Sequence, residues 1–415
     1  MQIIITILII SFLFEQYLDY RNRKTWSFSI PTELSDLYSP SEYEKAQSYD
    51  LAKDKLSKLG SVFSLVLMLA LIVSGGFSLL HQWTITITSD LVYQSLIFFG
   101  VLFVASDMIQ LPFSLYSTFV IEEKFGFNRS TIATFFMDKL KGYLIGGLLG
   151  GSLLAMFVLF YLITGSDFWW IMWITIVIVS MLLSMFYASL ILPIFNKLTP
   201  LPEGELRNAL EEYCNKAKFP LTDLFVMDGS KRSNKANAFF SGLGSKKRIV
   251  LYDTLIEKHS TEELVAIMAH EVGHYKLKHT RLMLVTSFLQ TGFMLWIFSL
   301  AINQPWLSEA IGGTEKTFVL GVLAFVILYS PISLFLGMLM NMLSRMHEYE
   351  ADSFAAKTSS SDSLITALKK LSKDNLSNLQ PDSLYVKIYY SHPTLLQRIK
   401  NLKKIVFLCF IIFKL

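Results

Sequence analysis

Two histidines four residues apart with a glutamate beside the first, His270-Glu271-Val-Gly-His274, are the residues best placed for chemistry in this chain. Four-residue spacing stacks both imidazoles on one helix face, where they can reach one Zn²⁺ at about 2.0–2.1 Å. Glu271, between them in sequence, can hold and deprotonate a water that the metal activates. The helix is well signalled: Ser260 and Glu263 form a capping box ahead of the apolar Leu264, Val265, Ile267, Met268 and Val272. Chance would produce this pattern in about one chain in two hundred of this composition, so it carries weight. A catalytic zinc still needs a third protein ligand.

Candidates for that ligand stand in Arg345-Met-His-Glu-Tyr-Glu-Ala-Asp352. Glu348 and Asp352 are four apart and share a helix face, so one could bind metal while the other fixes the tautomer of a ligand imidazole. Spacing alone leaves Glu348, Glu350 and His347 competing. A third constellation is Ser391-His392-Pro393 with Arg398. A residue before proline is extended or in a turn, which could aim His392 at a developing oxyanion while Arg398 orients nearby carboxylates. The stretch from Asn237 to Gly244 and its continuation to Asp253 reads as strand, glycine turn and strand. Its edge could pair with an extended peptide, or the hairpin could merely complete the domain.

The elements that must position these residues lie in an apolar chain. Of 415 residues, 53% are hydrophobic and 17% charged, with 33 Phe. Soluble domains carry about 25% charged residues, and disordered chains are poor in aromatics, so both classes are excluded. Cys214 and Cys409 suggest neither a disulfide framework nor a cysteine zinc site. A formal charge of +4 is too small to argue for nucleic acid. Seven stretches could each supply the roughly 20 apolar residues that span a bilayer. They lie near 2–19, 60–81, 92–116, 143–165, 168–195, 281–303 and 317–341. The apolar patch Ile405–Phe413 is too short to cross.

Lys and Arg crowd the segments after the first, third, fifth and seventh spans, and the connections between avoid them apart from Lys316. The positive-inside rule then makes the crowded side cytoplasmic and puts the N-terminus outside. Gly142, Gly146 and Gly150, with Gly147 and Gly151, repeat every fourth residue; they read first as close helix packing and second as a cavity lining. Asp107 sits inside the third span, where a charge is costly and the sequence names no partner.

Further stretches complete a pattern: Leu111–Tyr116 with Phe125–Asn128, Pro193–Pro200, Ser230–Ser233, Asn237-Ala238 and Arg248–Leu255. Together with the three constellations above they resemble, in order and over nearly the whole chain, the type I CAAX prenyl protease family of seven-span zinc metalloendopeptidases. That resemblance implies His270, His274 and Glu348 as ligands of one Zn²⁺ and Glu271 as general base. It further implies Asp352 and Arg398 as supporting residues, His392 as stabiliser of the tetrahedral intermediate, and Asn237 and Ala238 as binders of substrate backbone. It also implies an all-α multi-pass membrane fold whose spans enclose a chamber, with a zincin-like cytoplasmic catalytic domain containing a small β-hairpin.

The expected division is 1–195 for spans one to five and 196–280 for the first part of the catalytic domain. Spans six and seven follow at 281–344, the second catalytic part at 345–403 and an apolar tail at 404–415. Lys235-Ala236-Asn237 replaces the His-Ser-Asn of the eukaryotic branch and His347 replaces its Phe, changes that look bacterial. The expectation is therefore a zinc endopeptidase of a bacterial cell membrane rather than the ER, embedded in the bilayer and acting on peptides or proteins. A prenylated C-terminal CAAX peptide is one expected substrate and quality control without prenyl specificity the alternative. A transporter or scaffold with a vestigial motif is the reading from another class.

Overall fold

The computed structural model describes residues 1–26, 30–241 and 247–412. Among them, six helical runs are long and apolar enough to cross a bilayer. One, Ile132–Phe195, has 64 residues, roughly 95 Å if straight, against a hydrocarbon core of about 30 Å. It folds back at Gly165, whose φ of +58° favours glycine. Phe157 and Phe168, on either side of the bend, then pack edge to face at 5.2 Å. Seven crossing helices result: α1 (Gln2–Lys24), α2 (Pro40–Val73), α4 (Leu91–Tyr116), α5 (Ile132–Thr164), α6 (Phe168–Phe186), α9 (His279–Ala301) and α10 (Phe318–Thr358). The short α3 (Gly76–Ile87) lies between α2 and α4.

Two span boundaries differ from the sequence reading. Helix α2 begins at Pro40, where Ser39 and Glu42 form a capping box, and stops at Val73 before the left-handed Gly75, φ +70°. Residues 76–81 therefore belong to α3 and not to the second span. Helix α10 runs unbroken for 41 residues, about 60 Å, or twice the hydrocarbon thickness. No glycine or proline interrupts it after Gly337, so the seventh span carries Glu348 and Asp352 out of the bilayer on one rigid rod.

The Lys- and Arg-rich segments gather around the hydrophilic part of the chain. Arg21, at the end of α1, pairs with Asp382 at 2.9 Å; Arg232 grips Asp138 of α5 through two bonds of 2.7 and 2.8 Å; Lys235 pairs with Glu122 at 2.9 Å. The remaining connections, around 88–90, 165–167 and 302–317, occupy the other ends of the same helices.

Within the bundle, Phe98, Phe168, Leu307 and Ile311 are fully buried in one apolar cluster. Hollows of 630 and 620 Å³ open between the helices, share Ser61 and Ser64, and are lined further by Ser11, Ser57, Ser114 and Ser330. The serines make these linings mixed rather than wholly apolar, with Leu8, Phe12, Leu65 and Met68 also facing the larger hollow. Asp107 finds its partners on α5: Lys139 Nζ lies 2.7 and 2.8 Å from its oxygens, and the Tyr143 hydroxyl also donates to it. A Cβ built at Gly142, Gly146, Gly147 or Gly150 meets nothing within 4 Å. Close helix packing is thus not the role of these glycines, because no neighbouring helix comes near enough to need them.

The catalytic part packs α7 (Glu205–Lys216), α8 (Thr261–Lys276), α11 (Ser361–Asp374) and, after the short α12 (Ser383–Tyr389), α13 (Leu395–Ile412) with a sheet. The sheet has four strands in the order β1-β2-β4-β3, not a lone hairpin. Strands β3 (Ala238–Ser241) and β4 (Lys247–Tyr252) pair antiparallel as the sequence suggests; β2 (Leu221–Met227) joins β4 in parallel, and β1 (Leu198–Pro200) completes the far side. The two extra strands lack a turn signal between them because α7 or a longer crossover supplies the connection. The glycine turn at 242–246 lies outside the described residues, as do residues 413–415 of the tail and the tail side chains after Ile405.

Candidate metal centre

Helix α8 opens on the expected capping box: Ser260 N donates to Glu263 Oε2 at 3.1 Å and Glu263 N donates to Ser260 Oγ at 3.3 Å. Leu264, Met268 and Val272 are buried in the domain core, each contributing about 1.5–3 kcal/mol. Their burial turns the opposite face, with His270 and His274, toward α10. What lets α10 come close is Gly273. A Cβ there would sit 3.2 Å from both the Cα and the carbonyl oxygen of Ala351, so the α10 backbone would have to give by a few tenths of an ångström. Glycine at 273 therefore lets α10 bring Glu348 up to the histidines without displacing its backbone.

Three side chains converge. His270 Nε2 and His274 Nε2 are 3.1 Å apart. Glu348 Oε1 is 3.2 Å from His274 Nε2, and its Oε2 is 3.4 Å from His270 Nε2. Donors on a tetrahedral Zn²⁺ at about 2.0–2.1 Å stand about 3.3 Å from one another, close to each of these contacts, although the two histidines meet different oxygens of Glu348. Glu348 Oε2 is buried and has no hydrogen-bond partner, which a bound cation would satisfy. Two imidazoles and one carboxylate also suit zinc better than Ca²⁺ or Mg²⁺, which demand oxygen ligands.

Asp352, one turn beyond Glu348 and fully buried, faces His270 Nδ1 at 2.9 Å through Oδ1. Accepting a proton there leaves the Nε2 lone pair free for a metal. Arg398 from α13 clamps the same carboxylate, with Nε donating to Oδ2 at 2.9 Å and Nη2 to Oδ1 at 2.6 Å. Burial alone would lower the pKa of His270, but the Asp352 and Glu348 carboxylates overrule it and hold the metal-free imidazole up at about 9.

Glu271 is half-buried next in line and makes no hydrogen bond or ion pair among the described residues, so its carboxylate is available. His392 Nε2 lies 3.3 Å from Glu348 Oε1 while its Nδ1 meets Ser391 Oγ at 2.9 Å. Its loop is pinned by Arg345, which donates to the Tyr390 and Val386 carbonyls at 2.6 and 3.1 Å. Asn237 and Ala238 do not join this cluster. They sit at the start of β3, the outer strand of the sheet, where Asn237 Oδ1 accepts from Ala238 N at 2.9 Å.

The rivals left open by spacing are now separated. Glu350 and His347 lie with His279 in a second group, apart from His270. His279 was not singled out from sequence, and neither was Arg345. A signal existed for the first: five of the seven histidines, at 270, 274, 279, 347 and 392, meet here. For Arg345 there was none, because its role is fixed by carbonyls forty residues away.

With this geometry in view, comparison with known proteins is specific. Residues 19–197 match the family described as CAAX prenyl protease N-terminal, five membrane helices, and residues 200–406 match Peptidase family M48. CAAX prenyl protease 1 of Saccharomyces cerevisiae is 34% identical over 95% of this chain and 93% of its own length. Probable CAAX prenyl protease 1 of Schizosaccharomyces pombe is 37% identical over 89% of this chain and 81% of its own. The crystal structure of S. mikatae Ste24p superposes with a TM-score of 0.92 at 33% identity, covering 97% of this chain and 98% of that one. These relatives are eukaryotic, so the expected bacterial branch is not borne out. It rested on three positions, Lys235, Ala236 and His347, which weigh little against similarity along the whole chain. The bacterial cell membrane as location rested on the same positions and loses its support.

Proposed function

The chain belongs to the CAAX prenyl protease 1 family of M48 peptidases, zinc-dependent membrane endopeptidases, and on that premise we propose that His270, His274 and Glu348 hold one Zn²⁺ and that Glu271 is the general base. The observation that carries the assignment is the convergence of His270, His274 and Glu348, which offer one donor atom each within 4.8 Å of one another. When bound there, zinc polarises the scissile carbonyl and makes water acidic enough to attack at neutral pH.

Glu271 takes the proton from the attacking water and returns it to the leaving amine. His392 donates a hydrogen bond from Nε2 to the oxyanion that develops on the carbonyl. Asp352 keeps the His270 proton on Nδ1, and Arg398 keeps Asp352 ionised and in place. Asn237 and Ala238 offer an outer strand to the backbone of an extended substrate, the mode that gives affinity through main-chain bonds. The catalytic domain is assembled from 196–280 and 345–403, and it faces the cytoplasm with the N-terminus on the opposite side, in keeping with the Lys and Arg distribution.

The substrate in this reading is a peptide with a prenylated C-terminal CAAX sequence, as the names of the relatives suggest. Glu271→Gln should keep stoichiometric zinc and lose peptide cleavage; wild-type-like hydrolysis by that variant would sink the mechanism. Cleavage of matched farnesylated and unfarnesylated peptides tests the substrate, and equal rates would remove prenyl recognition from it.

A further inference from the structure

Beyond the zinc ligands, α8 ends at Leu277 and Lys278 turns the chain with a left-handed φ of +61° before α9 begins at His279. This turn swings the buried His279 ring back against His274. The two Nδ1 atoms are 3.1 Å apart, and His279 Nε2 lies 2.8 Å from Glu350 Oε2. His347 covers the His279 ring in a parallel stack, 4.0 Å between centroids and 7° between planes.

Three donor atoms of His279, His347 and Glu350 lie within 4.8 Å of one another, the spacing of a metal site. Proton counting argues otherwise. A neutral imidazole carries one N–H, and His274 must keep Nε2 bare for the zinc, so its proton is on Nδ1. Only one of two facing Nδ1 atoms can donate, so His279 Nδ1 accepts and the His279 proton sits on Nε2, pointing at Glu350. Each facing nitrogen of His274 and His279 then has one role and each bond a donor, while His347 Nδ1 is buried without a hydrogen-bond partner. A cation on His279 Nε2 would move that proton to Nδ1, against the N–H of His274. The stacked rings disfavour it too: a point midway between the planes is about 2 Å out of each, yet ring nitrogens bind metal in plane at about 2.0–2.1 Å.

We propose that His279 and Glu350 are positioning residues that act through His274: a carboxylate–imidazole relay that fixes the tautomer and raises the donor strength of the second zinc imidazole. Asp352 does this for His270 with a direct carboxylate contact; His274 receives it through one intervening ring. The inference rests on His274 being a ligand, and its test is arranged to separate the two ideas.

Zinc affinity of the purified full chain, measured by chelator competition, is compared for wild type, Glu350→Ala, His279→Ala, His279→Gln and the double alanine variant, with His270→Ala alongside. Loss of such a partner weakens metal binding about 10- to 100-fold. His279→Ala should show that loss, and His279→Gln should regain part of it, because an amide oxygen can accept from His274 Nδ1. Glu350→Ala, at an exposed carboxylate, should fold normally and bind zinc more weakly. The double variant should bind no more weakly than His279→Ala, since Glu350 acts only through that ring. The visible spectrum of the Co²⁺-loaded protein should shift in the same order. Additive losses, or wild-type affinity in Glu350→Ala, overturn the relay. So does uptake of two zinc equivalents by wild type but one by Glu350→Ala, which would mark a second metal site. If His270→Ala keeps stoichiometric zinc, the ligand assignment fails and not the relay alone.

Discussion

Asp352→Asn changes one atom type and should damage the site twice. The native carboxylate is fully buried and all its contacts are donors: Arg398 Nη2 at 2.6 Å, Arg398 Nε at 2.9 Å and His270 Nδ1 at 2.9 Å. An asparagine amide has one oxygen, so its nitrogen faces Arg398 alone in the Oδ2 position, or both His270 and Arg398 in the Oδ1 position. Facing Arg398, it strips a buried cation of its two-bond partner and leaves only Glu348 Oε2, at 3.4 Å, as counter-charge. Removing one partner of such a pair costs about 3–5 kcal/mol, and the lower end applies because the amide oxygen still accepts one Arg398 bond. Facing His270, it donates to Nδ1 and forces the imidazole proton onto Nε2, the atom the zinc needs. A lost supporting bond of that kind weakens metal binding about 10- to 100-fold, or about 1.4–2.8 kcal/mol. Denaturant unfolding of the chelator-treated protein reads the first loss and chelator competition reads the second. Adding Arg398→Met removes the stranded cation, so the double variant should regain stability while zinc binding stays weak. Zinc affinity of Asp352→Asn within threefold of wild type would refute the role given to this carboxylate.

Gly273→Ala adds a methyl 3.2 Å from the Ala351 backbone; overpacking of this kind costs about 1–3 kcal/mol, and because it pushes Glu348 from the histidines, zinc affinity should fall with thermal stability. Unchanged zinc affinity in that variant would mean that α10 tolerates displacement. The metal-free protein should lose stability as pH rises from about 6.5 through about 9, because His270, raised from 6.5 to about 9, then sheds the proton that pairs it with Asp352 and Glu348. Melting temperatures in chelator across that range check this, and zinc-loaded protein, which needs His270 neutral, should not show the same decline. Cys214 is buried and its thiol is pushed up to about 12 by burial, then by Glu211. In a Cys409→Ser background iodoacetamide should leave it unmodified at pH 8 until the protein unfolds, as mass spectrometry would report.

How much of this was legible beforehand follows from which physical rule acts locally. Helical spacing alone put His270 and His274 on one face and Glu348 and Asp352 on another, and the Ser260–Glu263 box marked where α8 begins. Apolar length and the Lys and Arg pattern were enough for the spans, since bilayer thickness acts on each helix separately. The start of α2 was missed although Ser39-Pro-Ser-Glu42 signalled it, because hydropathy weighs apolar residues and α2 opens with a charged, solvated turn. Strands β1 and β2 were missed because three to seven residues paired across a long connection leave no periodic trace.

Residue types and spacing by themselves determined the chemistry: a membrane-embedded chain with one helix offering two imidazoles and a base, and another offering carboxylates. Tertiary structure alone decided which carboxylate meets the imidazoles. Glu348 and Glu350 are the same residue type two positions apart, so nothing in composition separates them. The choice is made by how α10 packs on α8, where Gly273 lets the backbones approach closely. The same contact turns Glu350 and His347 toward His279, giving the site its outer shell of proton donors and acceptors.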